Sequence, residues 1–152
     1  MTKAVVIDTS LLLLLIVGLT NPAYIDRHRR LSPVYKARHF DLIRNMALQA
    51  PKLLCTAHVL TETSNLLRQT SEPMRSEIMK TFKVFIGQAE EVVVSAAHAT
   101  ESPVFIRLGL TDAAVVSLDP RDMVLLTVDH DLHIASSERG FEVVNLTSYL
   151  HE

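Results

Sequence analysis

The chain has 152 residues, 48% hydrophobic and 21% charged, with 15 Lys and Arg against 17 Asp and Glu. That length suits one domain with a real core and is too short for two, and a mean hydropathy of +0.22 excludes a largely disordered chain. A formal charge of -2 lacks the basic surplus of an ordinary nucleic-acid binder, and a single cysteine, Cys55, excludes both an intrachain disulfide framework and a thiolate zinc cluster.

The first apolar β-branched run, Ala4-Val5-Val6-Ile7, predicts a strand, and the apolar stretch Leu11 to Val17 predicts a buried helix over about 10–19. Lys3 followed by that stretch imitates a secretory signal, but Asp8 interrupts it and Asn21-Pro22-Ala23-Tyr24 is a poor cleavage site. The stretch is also far short of the roughly 20 apolar residues that cross a bilayer, so no membrane association and a cytoplasmic location are expected. Further strands are predicted at Leu53-Leu54-Cys55-Thr56, Val92-Val93-Val94, Met123 to Val128 and Val143-Val144. Helix-length segments lie between and before them, at about 38–50, 57–70, 74–88, 111–118 and 130–139. Continuous apolar strands separated by helices point to βαβ crossovers and a three-layer α/β sandwich. The breakers agree: all six prolines fall between these segments, and Gly140 reads as a helix-ending residue with positive φ.

Two features of composition need a function. Residues 26–44 hold six Lys or Arg and two His, namely Arg27, His28, Arg29, Arg30, Lys36, Arg38, His39 and Arg44. This cluster reads as a rim for RNA backbone, as a surface for an acidic protein, or as a solvated loop and helix face. The second feature is a set of acids around the predicted strand ends. Asp8 closes the first strand and Asp129 the fourth; Glu62 lies inside a predicted helix and Asp112 at the start of another. Singly, Asp8 is a helix cap, Asp112 a helix-start acid and Glu62 an ordinary helix acid. Together, each flanked by residues predicted to be buried, they form a recipe for a hard divalent cation, because carboxylates in apolar surroundings bind protons or cations.

Val6-Ile7-Asp8-Thr9-Ser10, Leu60-Thr61-Glu62-Thr63-Ser64-Asn65-Leu66, Leu110-Thr111-Asp112-Ala113-Ala114 and Leu126-Thr127-Val128-Asp129-His130-Asp131, in that order, resemble the PIN-domain ribonucleases, with the VapC-type toxins of toxin–antitoxin pairs nearest. The resemblance spans Lys3 to about Leu146. It implies a PIN-like α/β/α sandwich whose mostly parallel five-stranded sheet has the order 3-2-1-4-5. It also implies one or two Mg²⁺ or Mn²⁺ ions held by Asp8, Glu62, Asp112 and Asp129 as the catalytic quartet, with Asp131 a fifth acid and Ser10 and Thr127 hydroxyls beside the site. The implied activity is metal-assisted hydrolysis of RNA phosphodiesters, with RNA as substrate and an antitoxin protein as partner. Arg27, Arg29, Arg30, Lys36 and Arg38 are the candidate RNA-binding residues.

The chain departs from the family pattern at Leu132, where many relatives carry Phe, and in a longer, more basic stretch at 19–40. His58 and Glu62 have the i,i+4 spacing of a transition-metal pair, but a lone His on a half-apolar helix, like His130 and His133, is more often packed or exposed. Ile78, Phe82, Phe85 and Ile86 read as core or as the face of a homodimer. Rival α/β enzymes are disfavoured: a haloacid-dehalogenase-type site wants an acid where Ser10 stands, and a response-regulator receiver wants one after Val92-Val93-Val94. A PIN-like scaffold that binds RNA or protein without cutting is the non-enzymatic rival, and such scaffolds typically lose acids that this chain keeps. Setting the five acids aside leaves twelve against fifteen bases, so an acidic pocket can mask a basic rim.

Overall fold

Val5, Val6 and Ile7 have no exposed face because β1 (Ala4–Ile7) lies at the centre of a sheet. In this computed structural model, which describes residues 3–151, β1 is flanked by β2 (Leu53–Thr56) and β4 (Met123–Thr127), with β3 (Glu90–Val92) and β5 (Glu142–Asn145) at the edges. All pairings are parallel and the order is β3-β2-β1-β4-β5, as the resemblance implies.

The helices are α1 (Thr9–Thr20), α2 (Ala37–Gln49), α3 (Ala57–Leu67), α4 (Met74–Gln88), α5 (Ala96–Ala99), α6 (Phe105–Leu108), α7 (Leu110–Val116) and α8 (His130–Glu138). Strand order runs outward one way to β3 and then outward the other way from β4. With right-handed crossovers, α1–α4 cover one face of the sheet and α7 and α8 the other. The reversal creates a switch point between β1 and β4, and the crevice beyond the carboxyl ends of those strands is where such folds place their chemistry.

The central support is α1. Leu11 to Val17 are all at most 3% exposed, so the segment that imitates a signal is the core helix, packed against α2, α3 and α4. Gly18 allows that packing: a Cβ there would stand 2.1 Å from the Phe40 ring of α2. Among the described residues, no helix is long and apolar enough to cross a membrane. On α4, Ile78, Phe82 and Phe85 face the core, whereas Ile86 is exposed.

Several boundaries differ from the sequence expectation. The third strand starts two residues early and ends at Val92, leaving Val93 85% exposed. As an edge strand it pairs only with β2 and is not buried on both faces, so its apolar run does not mark its register. The helix expected to reach residue 70 ends at Leu67. The 3-10 turns Pro22–Tyr24 and Thr147–His151, with α5 and α6, are too short to show a helical period. Gly140 has the expected positive φ, +100°.

Candidate acidic metal site

The site begins where β1 stops. Asp8 leaves the strand in extended conformation and caps α1, its Oδ1 accepting from the Thr9 N–H at 2.7 Å. Its own N–H donates to the Leu126 carbonyl at 3.1 Å, extending the β1–β4 ladder by one step. Across that ladder, Thr127 Oγ1 donates to Asp8 Oδ2 at 2.8 Å and accepts from the Asp129 N–H at 3.0 Å. One buried hydroxyl therefore ties the strand-end acid of β1 to that of β4. Asp129 caps α8, with Oδ1 accepting from the Leu132 N–H at 3.0 Å.

The other two acids come from helices. Glu62, midway along α3, accepts through Oε2 from Thr111 Oγ1 at 2.7 Å, which joins α3 to the start of α7. Asp112 follows in the first turn of α7. Gly109 sets the turn that leads into this helix; its φ of +88° is a conformation that side chains resist. The Asp112 carboxylate makes no hydrogen bond or ion pair among the described residues.

Asp8, Glu62, Asp112 and Asp129 line one cleft of about 420 Å³, together with Ser10 and Arg30. Burial pushes the Asp8 carboxyl above its ordinary range against the pull of the Thr127 and Thr9 hydrogen bonds, and Asp129 and Glu62 push the same way. Asp112 is pushed up to about 7, first by burial and then by Asp8, Asp129, Glu62 and Asp131. The charges that raise these two groups are the neighbouring acids, and Arg30, in the same cleft, forms no ion pair with them among the described residues. Asp131 is exposed, in the first turn of α8, and contributes charge at the margin.

This donor set suits a hard divalent cation, which takes carboxylate oxygens and relieves their repulsion. Among the described residues, however, no three His, Cys, Asp or Glu side chains stand arranged to hold an ion. Asp8 accepts from Thr9 and Thr127, Glu62 from Thr111 and Asp129 from the α8 N-terminus, each with acceptor capacity left over.

Ser10 and Thr127 both reach the site, but differently. Thr127 holds Asp8, while Ser10 Oγ is bonded to Tyr35 Oη at 2.6 Å. Tyr35 and Thr111 go unmarked in the sequence. Both sit against candidate site residues, and neither has a local pattern that marks it.

The basic cluster does not stay together. Arg30 lines the acidic cleft, Arg27 lies over the Tyr24 ring at 5.5 Å, and Arg44 pairs with Asp41 at 3.5 Å. Lys36, Arg29 and Arg38 are exposed, with Lys36 capping α2. His28 and His39 are buried and belong to the packing. His58 is half-buried, and its i,i+4 partner Glu62 is engaged with Thr111. His133 meets Asn145, and His130 is exposed.

Fold and site together define an α/β protein with an acidic cleft at the switch point of a parallel sheet. No family model matches the chain, and the search of curated proteins returns no match.

Proposed function

We propose that this chain is a Mg²⁺- or Mn²⁺-dependent endoribonuclease of the PIN kind, close to the VapC-type toxins. The observation that carries the reading is the convergence of Asp8, Glu62, Asp112 and Asp129 from four separate elements on one cleft, with Asp112 driven to about 7 by burial first and then by the other acids. Acids forced together and not ion-paired are costly in a metal-free protein, and a cation site is the arrangement that turns the cost into binding.

When bound, the cation supplies Lewis acidity toward a water and toward the phosphoryl oxygens. The protein's own part is placement. Thr127 fixes Asp8 and the Asp129 backbone relative to each other, and Thr111 holds Glu62, which would be one of the ligands. Asp112, without a hydrogen bond among the described residues, is the carboxylate most available to an incoming ion. A cytoplasmic location, an antitoxin partner and a homodimer belong to the same proposal.

The test is cleavage of a mixed-sequence RNA while Mg²⁺ or Mn²⁺ is titrated into EDTA-treated protein. Activity should require the metal. Asp8→Asn and Asp112→Asn should each lower it by at least about a hundredfold with the circular-dichroism spectrum unchanged. Full metal-dependent activity in either variant would refute the assignment.

A further inference from the structure

Arg30 stands apart from the rest of the basic segment, and we propose that its guanidinium is the group that receives the RNA phosphate beside the acidic cleft. The inference rests on the ribonuclease reading for its substrate, but the geometry that singles out Arg30 does not depend on it.

Arg30 lines the same cleft as Asp8, Glu62, Asp112 and Asp129. An arginine among four acids would be expected to pair with one, yet no ion pair joins it to a carboxylate among the described residues. It is held instead by neutral groups. Its Nε donates to Gln69 Oε1 at 2.6 Å, and its backbone N–H donates to His28 Nδ1 at 3.1 Å. Nδ1 facing an N–H must be the unprotonated nitrogen, so Nε2 carries the hydrogen and donates it to the Leu67 carbonyl at 3.1 Å. His28 is wholly buried, and burial, with the Arg30 charge beside it, pulls its pKa below the ordinary range against the Leu67 hydrogen bond.

Both anchors, Leu67 and Gln69, lie at or just beyond the end of α3, the helix that carries Glu62. The Arg30 loop and Glu62 are thus registered to one element. The Nη nitrogens have no partner among the described residues. A guanidinium steered by an amide keeps its full charge, and its free edge offers parallel N–H donors to a phosphodiester. Phosphate is also the ligand that can touch an arginine and a carboxylate-bound cation at once. Arg29, one residue earlier and like Arg30 exposed, has no such anchoring among the described residues.

The test separates binding from cutting. Anisotropy of an end-labelled, mixed-sequence single-stranded RNA, with Ca²⁺ in place of Mg²⁺, measures affinity over a range of salt. Initial rates in Mg²⁺ give KM and kcat. Arg30→Gln should weaken affinity about tenfold and reduce the log–log salt slope by roughly 0.7, the value for one phosphate on a single strand. Arg30→Lys should restore the slope and only part of the affinity, and Arg29→Gln should cost clearly less than Arg30→Gln. Gln69→Ala should raise KM more than it lowers kcat and add nothing to Arg30→Gln, as expected if it acts through that side chain. Wild-type affinity and slope in Arg30→Gln would overturn the proposal, as would an equal loss in Arg29→Gln or no RNA binding by the wild type. Wild-type cleavage reads the underlying function separately. Cutting with unchanged Arg30→Gln affinity defeats the Arg30 role alone, whereas Arg30-dependent binding with no cleavage in either metal defeats the nuclease reading alone.

Discussion

Asp112→Asn should stabilise the metal-free protein, and the size of the effect should depend on pH. In the fold this carboxyl is pushed to about 7, against an ordinary 3.8. A carboxyl with a raised folded pKa contributes stability that is fully present below pH 3.8 and is lost as the pH rises to about 7. Above that, the folded chain carries an ionised group that burial and four neighbouring acids oppose. Roughly three pKa units at about 1.36 kcal/mol each set a ceiling near 4 kcal/mol. Asp112 is only half-buried, and it lies in the first turn of α7, where the helix dipole favours a negative charge. Screening and the dipole bring the expected gain to about 1–2 kcal/mol. An amide of the same shape loses no hydrogen bond, because the carboxylate has none among the described residues.

Thermal unfolding in EDTA, from about pH 4 to about pH 8, reads this directly. At the acid end the two proteins should melt together; the variant's advantage should grow between about pH 4 and 7, then level off at roughly 3–6 °C. Titrations of groups remote from the cleft cancel in the difference, and the remaining acids follow the loss of the Asp112 charge in the same direction. Adding Mg²⁺ or Mn²⁺ near neutrality should reverse the order, because ligand binding stabilises the wild type by mass action and the variant lacks a donor. An Asp112→Asn protein that is equal to or less stable than the wild type in EDTA at about pH 8 would show that the acids are not working against one another.

Thr127→Val keeps the shape of a wholly buried side chain but deletes the hydroxyl shared by Asp8 and the Asp129 N–H. Urea unfolding should show a loss of about 1–3 kcal/mol, and RNA cleavage should fall even where the protein remains folded. Gly18→Ala should destabilise by at least about 2 kcal/mol despite alanine's helix propensity, because its Cβ would meet the Phe40 ring at 2.1 Å; a neutral or stabilising result in urea would contradict the packing of α1 on α2. Cys55, buried with its thiol pushed up to about 12, should resist a maleimide at about pH 8 until denaturant is added.

What could be read from the sequence follows from how local each signal is. Asp8 and Asp129 stand directly after apolar strands, so position alone suggested a role for them, and the β1–β4 pairing aligns Ile7 with Leu126. Glu62 and Asp112 have no such marker and emerged only as members of an ordered set. Their joint Thr111–Glu62 contact spans 49 positions and the Ser10–Tyr35 contact 25, and no periodicity connects such pairs. The basic segment shows the limit most clearly. Composition grouped Arg27, Arg29 and Arg30 as equals, and only the long-range anchoring by Leu67 and Gln69 separates them.

The same contrast explains how a neutral-looking chain can hold this site at all. Repulsion among Asp8, Asp112, Glu62 and Asp129 would spread the strand ends unless something stiffer held them. Two features do. Asp8 is built into the β1–β4 ladder through its own N–H and is capped onto α1, whose apolar run is buried against α2, α3 and α4. Moving Asp8 away would expose that core, at roughly 25 cal/mol for each Å² of apolar surface uncovered. Glu62 and Asp112 are less constrained, since each depends on a short helix terminus or a single hydroxyl. The rigid pair therefore sets where charge accumulates, and under the proposed function Glu62 and Asp112 are the pair that would adapt to a cation.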